Sequence, residues 1–301
     1  MELLLQSTIL GLFNGALYAL MAMGITFIAS IMRIINWATG EFYMIGSYVQ
    51  FALLTAVLPM LGIVTPMDWL LTALAAMVVV FMLGLLIQRT LIAPMHRPGI
   101  QSFEYATIMT VALAVLFQNL AILIAGPNQY SVPEYMKPIL LEDLDIVLNG
   151  SRVAAGLAAF CLLILFYVLL YRTSWGLAFR GIAQNRLAGQ TAGLNLRRMD
   201  MLAFGIGTAL CAAAGALLAP VFLVHPLNGM AASMKGFEII VIGGIGSLWG
   251  AVVAAFGLAL VEALGSAFYR ADLQQLYGFV FLIGFLIFRP QGLFGHKERR
   301  V

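Results

Sequence analysis

The chain has 301 residues, 62% of them hydrophobic and only 10% charged, with a mean hydropathy of +1.00. Soluble domains carry about 25% charged residues, so the composition excludes a soluble globule and describes an integral membrane protein. The net charge of +3 gives no reason to expect a nucleic-acid partner. No stretch outside the apolar segments could bury a core of its own, so residues 1–301 are expected to form one transmembrane domain.

A bilayer core takes about 20 apolar residues in helix. The first candidate span is 8–31, which carries the small-residue ladder Ser7-xxx-Gly11-xxx-Gly15. Met1-Glu2 leads into it without a basic segment or a cleavage site, so the span is expected to be kept. Region 36–58 is apolar but broken by Gly and polar residues. Clear spans follow at 69–88, 105–125, 153–170, 201–224 and 273–288. Region 236–268 is too long for one span and too short for two. It reads as a short or re-entrant segment (236–247), a turn at Ser247-Leu248-Trp249-Gly250 and a helix (250–268). The expectation is an all-α polytopic protein with eight or nine transmembrane helices, short or re-entrant segments included. Cys161 and Cys211 both lie within spans and read as small packing residues.

Positive charge marks the cytoplasmic side. With the N-terminus outside, the inner segments hold twelve of the sixteen Lys and Arg, including Arg33, Arg89, Arg97, Arg289, Lys297, Arg299 and Arg300. Lys137, Arg152, Lys235 and Arg270 fall outside, as do the acidic Glu142, Asp143 and Asp145. This predicts an outer N-terminus and a cytoplasmic C-terminus. The two halves are also faintly alike. A long small-residue helix precedes Gly40-Glu41-Phe42 in the first, and an Ala/Gly helix precedes Gly236-Phe237-Glu238 in the second. Since these helices would run in opposite directions, the halves read as an inverted repeat, with the substrate path at their interface.

Catalytic signatures are missing: there is no HExxH, no P-loop and no Cys/His cluster with metal spacing. Gly244-Ile245-Gly246-Ser247 brushes a serine-nucleophile pattern, but His96, His225 and His296 all fall in or near loops. Glycine-mediated helix packing is the better reading there, supported by the ladder Ala251-xxx-Ala255-xxx-Ala259-xxx-Ala263. No catalytic residue, metal or cofactor is therefore expected on this chain. Polar residues inside spans are costly and face a bundle interior or a cavity. Asn14, Asn36, Thr39, Glu41, Asn119 and Glu238 are the candidates for a translocation path, and Gln118 and Glu262 share their setting. The plainer alternative is that Glu41 and Glu238 cap helix N-termini, and that Glu262 is a structural hydrogen-bonding group. A secondary transporter would show charged pairs within its spans, and here the three glutamates are expected to lack an intramembrane Lys or Arg.

The segment 171–198 is a long inner loop that holds Arg172, Arg180, Arg186, Arg197 and Arg198 and no acid. A helix is predicted over about 177–192, with Gly193 at the position that needs positive φ and Asn195 after it. Ala183, Leu187 and Ala188, beside Ile182, make a small apolar stripe flanked by Arg180, Gln184 and Arg186. Five arginines could serve topology alone. A capped helix parallel to the membrane also suits a groove on a soluble partner, and docking is the favoured reading.

Four motifs in order then resemble one family over nearly the full length. They are Ile35-Asn36-Trp37-Ala38-Thr39-Gly40-Glu41-Phe42-Tyr43-Met44-Ile45-Gly46-Ser47-Tyr48, Ala183-Gln184-Asn185 through Gly193-Leu194-Asn195, Lys235-Gly236-Phe237 through Ser247, and Arg289-Pro290-Gln291-Gly292-Leu293-Phe294-Gly295. The chain resembles the membrane permease subunits of bacterial ABC importers for branched-chain amino acids, within the group that includes ribose- and urea-type permeases. It is closer to the shorter permease of the usual pair. The resemblance implies a bacterial inner-membrane subunit that imports branched-chain or other hydrophobic amino acids, with a urea- or amide-type permease as the alternative. It implies a homologous second permease, cytoplasmic ATP-binding subunits that carry the ATP, and an extracytoplasmic solute-binding protein. Arg180, Ala183, Gln184, Asn185, Leu187, Ala188, Gly193 and Asn195 would belong to its coupling helix. Two departures stand out: Thr191-Ala192 precede Gly193 where a bulkier residue is commoner, and Trp249 stands where proline is frequent.

Overall fold

A computed structural model of the chain describes residues 2–62, 67–96, 102–141 and 146–295. Arg97, Glu142, Asp143, Asp145, Lys297, Arg299 and Arg300 lie outside them. In chain order the helices are α1 (Glu2–Met32), α2 (Thr39–Ala52), α3 (Leu58–Leu61), α4 (Asp68–Ile87), α5 (Ser102–Ala125) and α6 (Gly150–Arg172). They continue as α7 (Ser174–Gln184), α8 (Arg186–Thr191), α9 (Leu196–Leu218), α10 (Asn228–Gly243), α11 (Leu248–Phe268) and α12 (Gln274–Phe288). A π-helical stretch, Leu53–Val57, joins α2 to α3, and a second, Gln88–Ile92, extends α4. One short antiparallel hairpin pairs β1 (Ile139–Leu141) with β2 (Ile146–Leu148). Among the described residues, eight helices are long and apolar enough to cross a membrane. The protein is an all-α polytopic membrane protein.

α1, with 31 residues, is about 45 Å long at 1.5 Å per residue, so its two ends mark the two faces of the bundle. Gln6 near its start donates to Val147 O of the hairpin (2.8 Å). On the same face Tyr130 pairs with Val224. Near its end Ser30 donates to Gly246 O (2.8 Å), and Arg33 donates to Ala183 O (3.0 Å). The segment after α12 reaches that second face too, where Leu293 N donates to Ile242 O (2.8 Å) and Phe294 N to Gly243 O (3.1 Å). These bonds satisfy carbonyls that the end of α10 leaves open. They explain why Ile242-Gly243-Gly244 and Gln291-Gly292-Leu293-Phe294 belong to one joint. The ends of the described chain therefore lie on opposite faces, and α10 is a ninth, shorter segment between them.

α1 and α9 form the buried centre, while α5 and α12 lie at the periphery. α1 packs most extensively on α11, and α9 on α1, α2 and α4. The glycine ladder of α1 meets the alanine ladder of α11: a Cβ on Gly11 would lie 3.1 Å from Ala263 Cβ, and one on Gly15 would lie 3.1 Å from Phe256 Cα. Small residues let the two backbones approach closely in lipid. The pairing has the logic of an inverted repeat. α1 lies on α11 as α9 lies on α4, α1 meets α9, and α2 meets α10. α6 stands outside both groups and packs on α1.

Several boundaries differ from expectation, and α1 already starts at Glu2 rather than at 8. The span expected at 201–224 is α9, Leu196–Leu218. Asn195 caps its start by accepting from Arg198 N (3.1 Å), and Pro220 cannot continue it. The segment expected at 236–247 begins earlier, at Asn228, and ends at Gly243. The expected turn at Ser247-Leu248-Trp249-Gly250 is already the start of α11. Ser247 Oγ accepts from Gly250 N (3.1 Å) as its N-cap, so this serine is a capping residue.

Candidate functional site

A cavity of about 470 Å³ lies between α1, α9, α10, α11 and α12. Gln129, His225 and Gln275 stand at its rim, so it opens on the face where α1 begins. Leu17 and Met21 of α1 and Leu218 of α9 give it an apolar wall, and Lys235 and Glu262 give it a charged one. Lys235 Nζ lies 2.8 Å from Glu238 Oε2 and 2.5 Å from Glu262 Oε1. Tyr18 and Gln274 each donate to the other oxygen of Glu262, at 3.2 Å. Gly278 of α12 roofs the cluster: a Cβ there would fall 2.7 Å from Glu262 Oε1 and 3.0 Å from Lys235 Nζ.

The expectation that these glutamates lack a basic partner inside the bundle is corrected by this cluster. Lys235 precedes Glu238 by one helical turn, which places both on one face of α10. Glu262 is 1% exposed and Lys235 12%. Two carboxylates share one ammonium, so the cluster carries a formal surplus of negative charge. Lys235 and Glu262 were legible only as an outer charge and a lone polar residue. The i, i+3 spacing of Lys235 and Glu238 was the available signal.

The other expected path residues scatter. Asn36 shapes the break between α1 and α2, since its Oδ1 accepts from Ala38 N (3.0 Å) and its carbonyl from the Thr39 hydroxyl (2.9 Å). Glu41 is buried in the first turn of α2, and no side-chain hydrogen bond caps the start of that helix. Its Oε2 has no hydrogen-bond partner among the described residues, and a Cβ on Gly229 of α10 would lie 2.6 Å from it. Gly40 N donates to Ser233 Oγ (2.9 Å), and a Cβ on Gly40 would run into Gly229 O, so α2 and α10 approach backbone to backbone here. Glu238, by contrast, sits well inside α10 and caps nothing. Asn14 lines a separate cavity of about 230 Å³ with Arg152 and Ser266. Asn119 stands on the exposed side of α5 and returns its amide to Val115 O (2.7 Å).

On the opposite face, the single helix expected over 177–192 is two. α7 starts at Thr173, whose hydroxyl accepts from Gly176 N (3.1 Å), and stops at Asn185, which has φ −148°. Asn185 then caps α8 by accepting from Ala188 N (3.0 Å). α8 ends in a paired cap, Gly193 N to Gln190 O (3.0 Å) and Leu194 N to Gly189 O (3.1 Å), with Gly193 at φ +85°. Asn195 belongs to α9 as its N-cap rather than to this helix pair.

α7 turns Phe179 and Ile182 inward, and the Phe179 ring lies 5.1 Å from that of Phe27 in α1. The expected stripe divides. Ile182 is buried, Ala183 is half-buried, and Leu187 (70% exposed), Ala188 and Gln184 face outward. Trp175 and Leu177 add to that outward apolar surface. Arg180 lies over the Tyr171 ring at 4.9 Å. Arg186 makes a forked pair with Asp200 of α9, at 3.0 and 2.7 Å, and also donates to Ile31 O of α1. The sequence placed no acid within the loop, and the one that matters stands just beyond it.

A family model described as branched-chain amino acid transport system / permease component matches residues 7–288. The high-affinity branched-chain amino acid transport system permease protein LivH of Escherichia coli (strain K12) is 31% identical, over 98% of this chain and 96% of that protein. BraD of Pseudomonas aeruginosa, a permease protein of the same description, is 30% identical over the same shares. LivM of Escherichia coli is 26% identical, over 92% of this chain but 67% of its own length. No solved structure matches.

Proposed function

The chain belongs to the family of branched-chain amino acid transport permease components, and from that premise we propose that it is one permease subunit of an ATP-driven importer for branched-chain and other hydrophobic amino acids. It lies in a bacterial inner membrane with the start of α1 outside and α7 and α8 in the cytoplasm. A homologous second permease completes the path, and a solute-binding protein delivers substrate to the cavity. Cytoplasmic subunits hydrolyse ATP, and this chain contributes no catalytic group.

One observation carries the coupling mechanism: α7 and α8 are tied to both central helices. Phe179 packs on Phe27, and Arg186 holds Ile31 O of α1 and Asp200 of α9. Those two helices also line the cavity, through Leu17, Tyr18 and Leu218. An ATPase that grips the outward surface of Leu177, Leu187 and Ala188 would thus move α1 and α9 together. The cavity walls would follow. Cores are bistable rather than continuously deformable, so a small push becomes a switch between packings.

Two measurements test this. Cysteines placed at Lys137 and Gln190 are expected to label from opposite sides of sealed cells, and labelling of both from outside removes the proposed orientation. In a reconstituted complex, Ala188→Glu is expected to release the ATP-binding subunits during purification, because it sets a charge in the docking contact. Full retention with wild-type uptake would leave α7 and α8 as anchors only.

A further inference from the structure

Lys235 and Glu262 face one cavity side by side with opposite charges, 2.5 Å apart, at the end of an apolar wall. We propose that this ion pair is an exchangeable clamp for the zwitterionic head of an α-amino acid. The substrate carboxylate replaces Glu262 at Lys235 Nζ, and the substrate ammonium takes the Glu262 Oε1 that is freed. The inference rests on the amino-acid reading above and assigns the residues that would recognise the head group.

Charge conservation is the main argument. A buried pair that loses one member leaves a bare charge, which is strongly unfavourable in an apolar setting. A zwitterion that enters between Lys235 and Glu262 replaces one ion pair with two and leaves nothing bare. An anion at Lys235 strands Glu262, and a cation at Glu262 leaves Lys235 one partner short, with Glu238 alone. The same site therefore prefers a zwitterion to a cation or an anion of equal size, and opposes the anion more strongly.

The surroundings are built for such an exchange. Glu238 stays 2.8 Å from Lys235 Nζ and keeps the ammonium in place when Glu262 lets go. Tyr18 and Gln274 hold the second oxygen of Glu262, so the first alone has to change partner. The surplus carboxylate makes the cluster attractive to the incoming ammonium. Leu17, Met21 and Leu218 offer an apolar surface to an aliphatic side chain. At about 470 Å³ the space falls within the usual range of small-molecule sites, about 300–1,000 Å³. A purely structural clamp between α10 and α11 would gain nothing from facing a cavity.

The test uses the complete complex of both permeases and the ATP-binding subunits, purified without the solute-binding protein so that its selectivity does not enter. Calorimetry compares leucine, leucinamide (cation) and 4-methylpentanoate (anion). The wild type is expected to bind leucine more tightly than either analogue. Lys235→Met is expected to weaken leucine about tenfold or more and to abolish the discrimination against leucinamide. Glu262→Gln is expected to weaken leucine similarly and to abolish the discrimination against 4-methylpentanoate. A structural pair would instead lower all three ligands alike, and that result overturns the proposal. Equal wild-type affinity for all three, or no leucine binding, overturns it without any variant. ATP-driven leucine uptake by a wild type that lacks this preference would sink the clamp and leave the permease reading intact. A wild-type complex that imports no amino acid would sink that reading itself.

Discussion

Arg186 and Asp200 meet at the end of the bundle where α1 stops, as a matched pair, whereas Lys235, on a cavity wall, faces two carboxylates. The first is closed: the guanidinium forks onto both oxygens of a fully buried Asp200 and adds a main-chain carbonyl of α1. Such planar two-point geometry resists exchange. The second is unequal and open, with one ammonium shared and its surplus charge turned to an accessible space. Both join helices, but only the second offers a visiting ligand something to replace. A balanced, sealed charge pair behaves as a joint, and an unbalanced one beside a cavity behaves as a site.

The contrast breaks most clearly at Arg186. Arg186→Ala takes the guanidinium from the buried Asp200 carboxylate, and removal of one partner from a buried pair costs about 3–5 kcal/mol. Arg186 itself is partly exposed, so Asp200→Asn leaves a cation that water can reach and should cost less. Thermal unfolding of the two purified variants measures the asymmetry, and equal losses would mean that the pair is not a buried joint. Gly193→Val comes next. Nothing stands within 4 Å of a Cβ there, so the cost is backbone alone, about 1–2 kcal/mol for the left-handed conformation. The variant should insert normally while substrate-stimulated ATP hydrolysis falls, which an ATPase assay in vesicles reads directly.

Ser247→Ala should cost about 1 kcal/mol by removing the N-cap of α11. It should also leave uptake per assembled complex unchanged, since Ser247 Oγ serves to cap α11. Loss of uptake with full assembly would mean that the serine does more than cap. Glu41→Ala should have the smallest effect on stability, because its Oε2 carries no hydrogen bond in this conformation. Uptake is nevertheless expected to fall, because the carboxylate lies where α2 and α10 cross and must slide if the path opens. Normal uptake by this variant would reduce Glu41 to a helix-start charge.

Much of this architecture was legible residue by residue. The Ala251–Ala263 ladder announced close helix packing, and it does pack on α1 at Gly11. Gly193 announced a helix end with positive φ, and it has one. The break at Asn185 went unread because the apolar pattern runs through it, although Asn suits an N-cap better than a helix interior. Asn185 leaves the helix and caps α8, and Arg186 beside it reaches Asp200 and Ile31, a contact no local rule contains. The candidate path was read from polarity alone, so Asn119, on the exposed side of α5, ranked beside Glu238.

By itself, the sequence determined that this is a multi-pass helical permease of its family, with its spans, its caps and its charge asymmetry. Those properties rest on runs of apolar residues and on hydrogen bonds between chain neighbours. Tertiary structure alone decided that Lys235 joins Glu262 across 27 positions, that Asn14 lines a second cavity and Asn119 lies apart from that cluster, and that the last described segment closes the end of α10. The reason is physical. A polar group inside an apolar bundle must find a partner, and which partner it finds depends on how the helices cross.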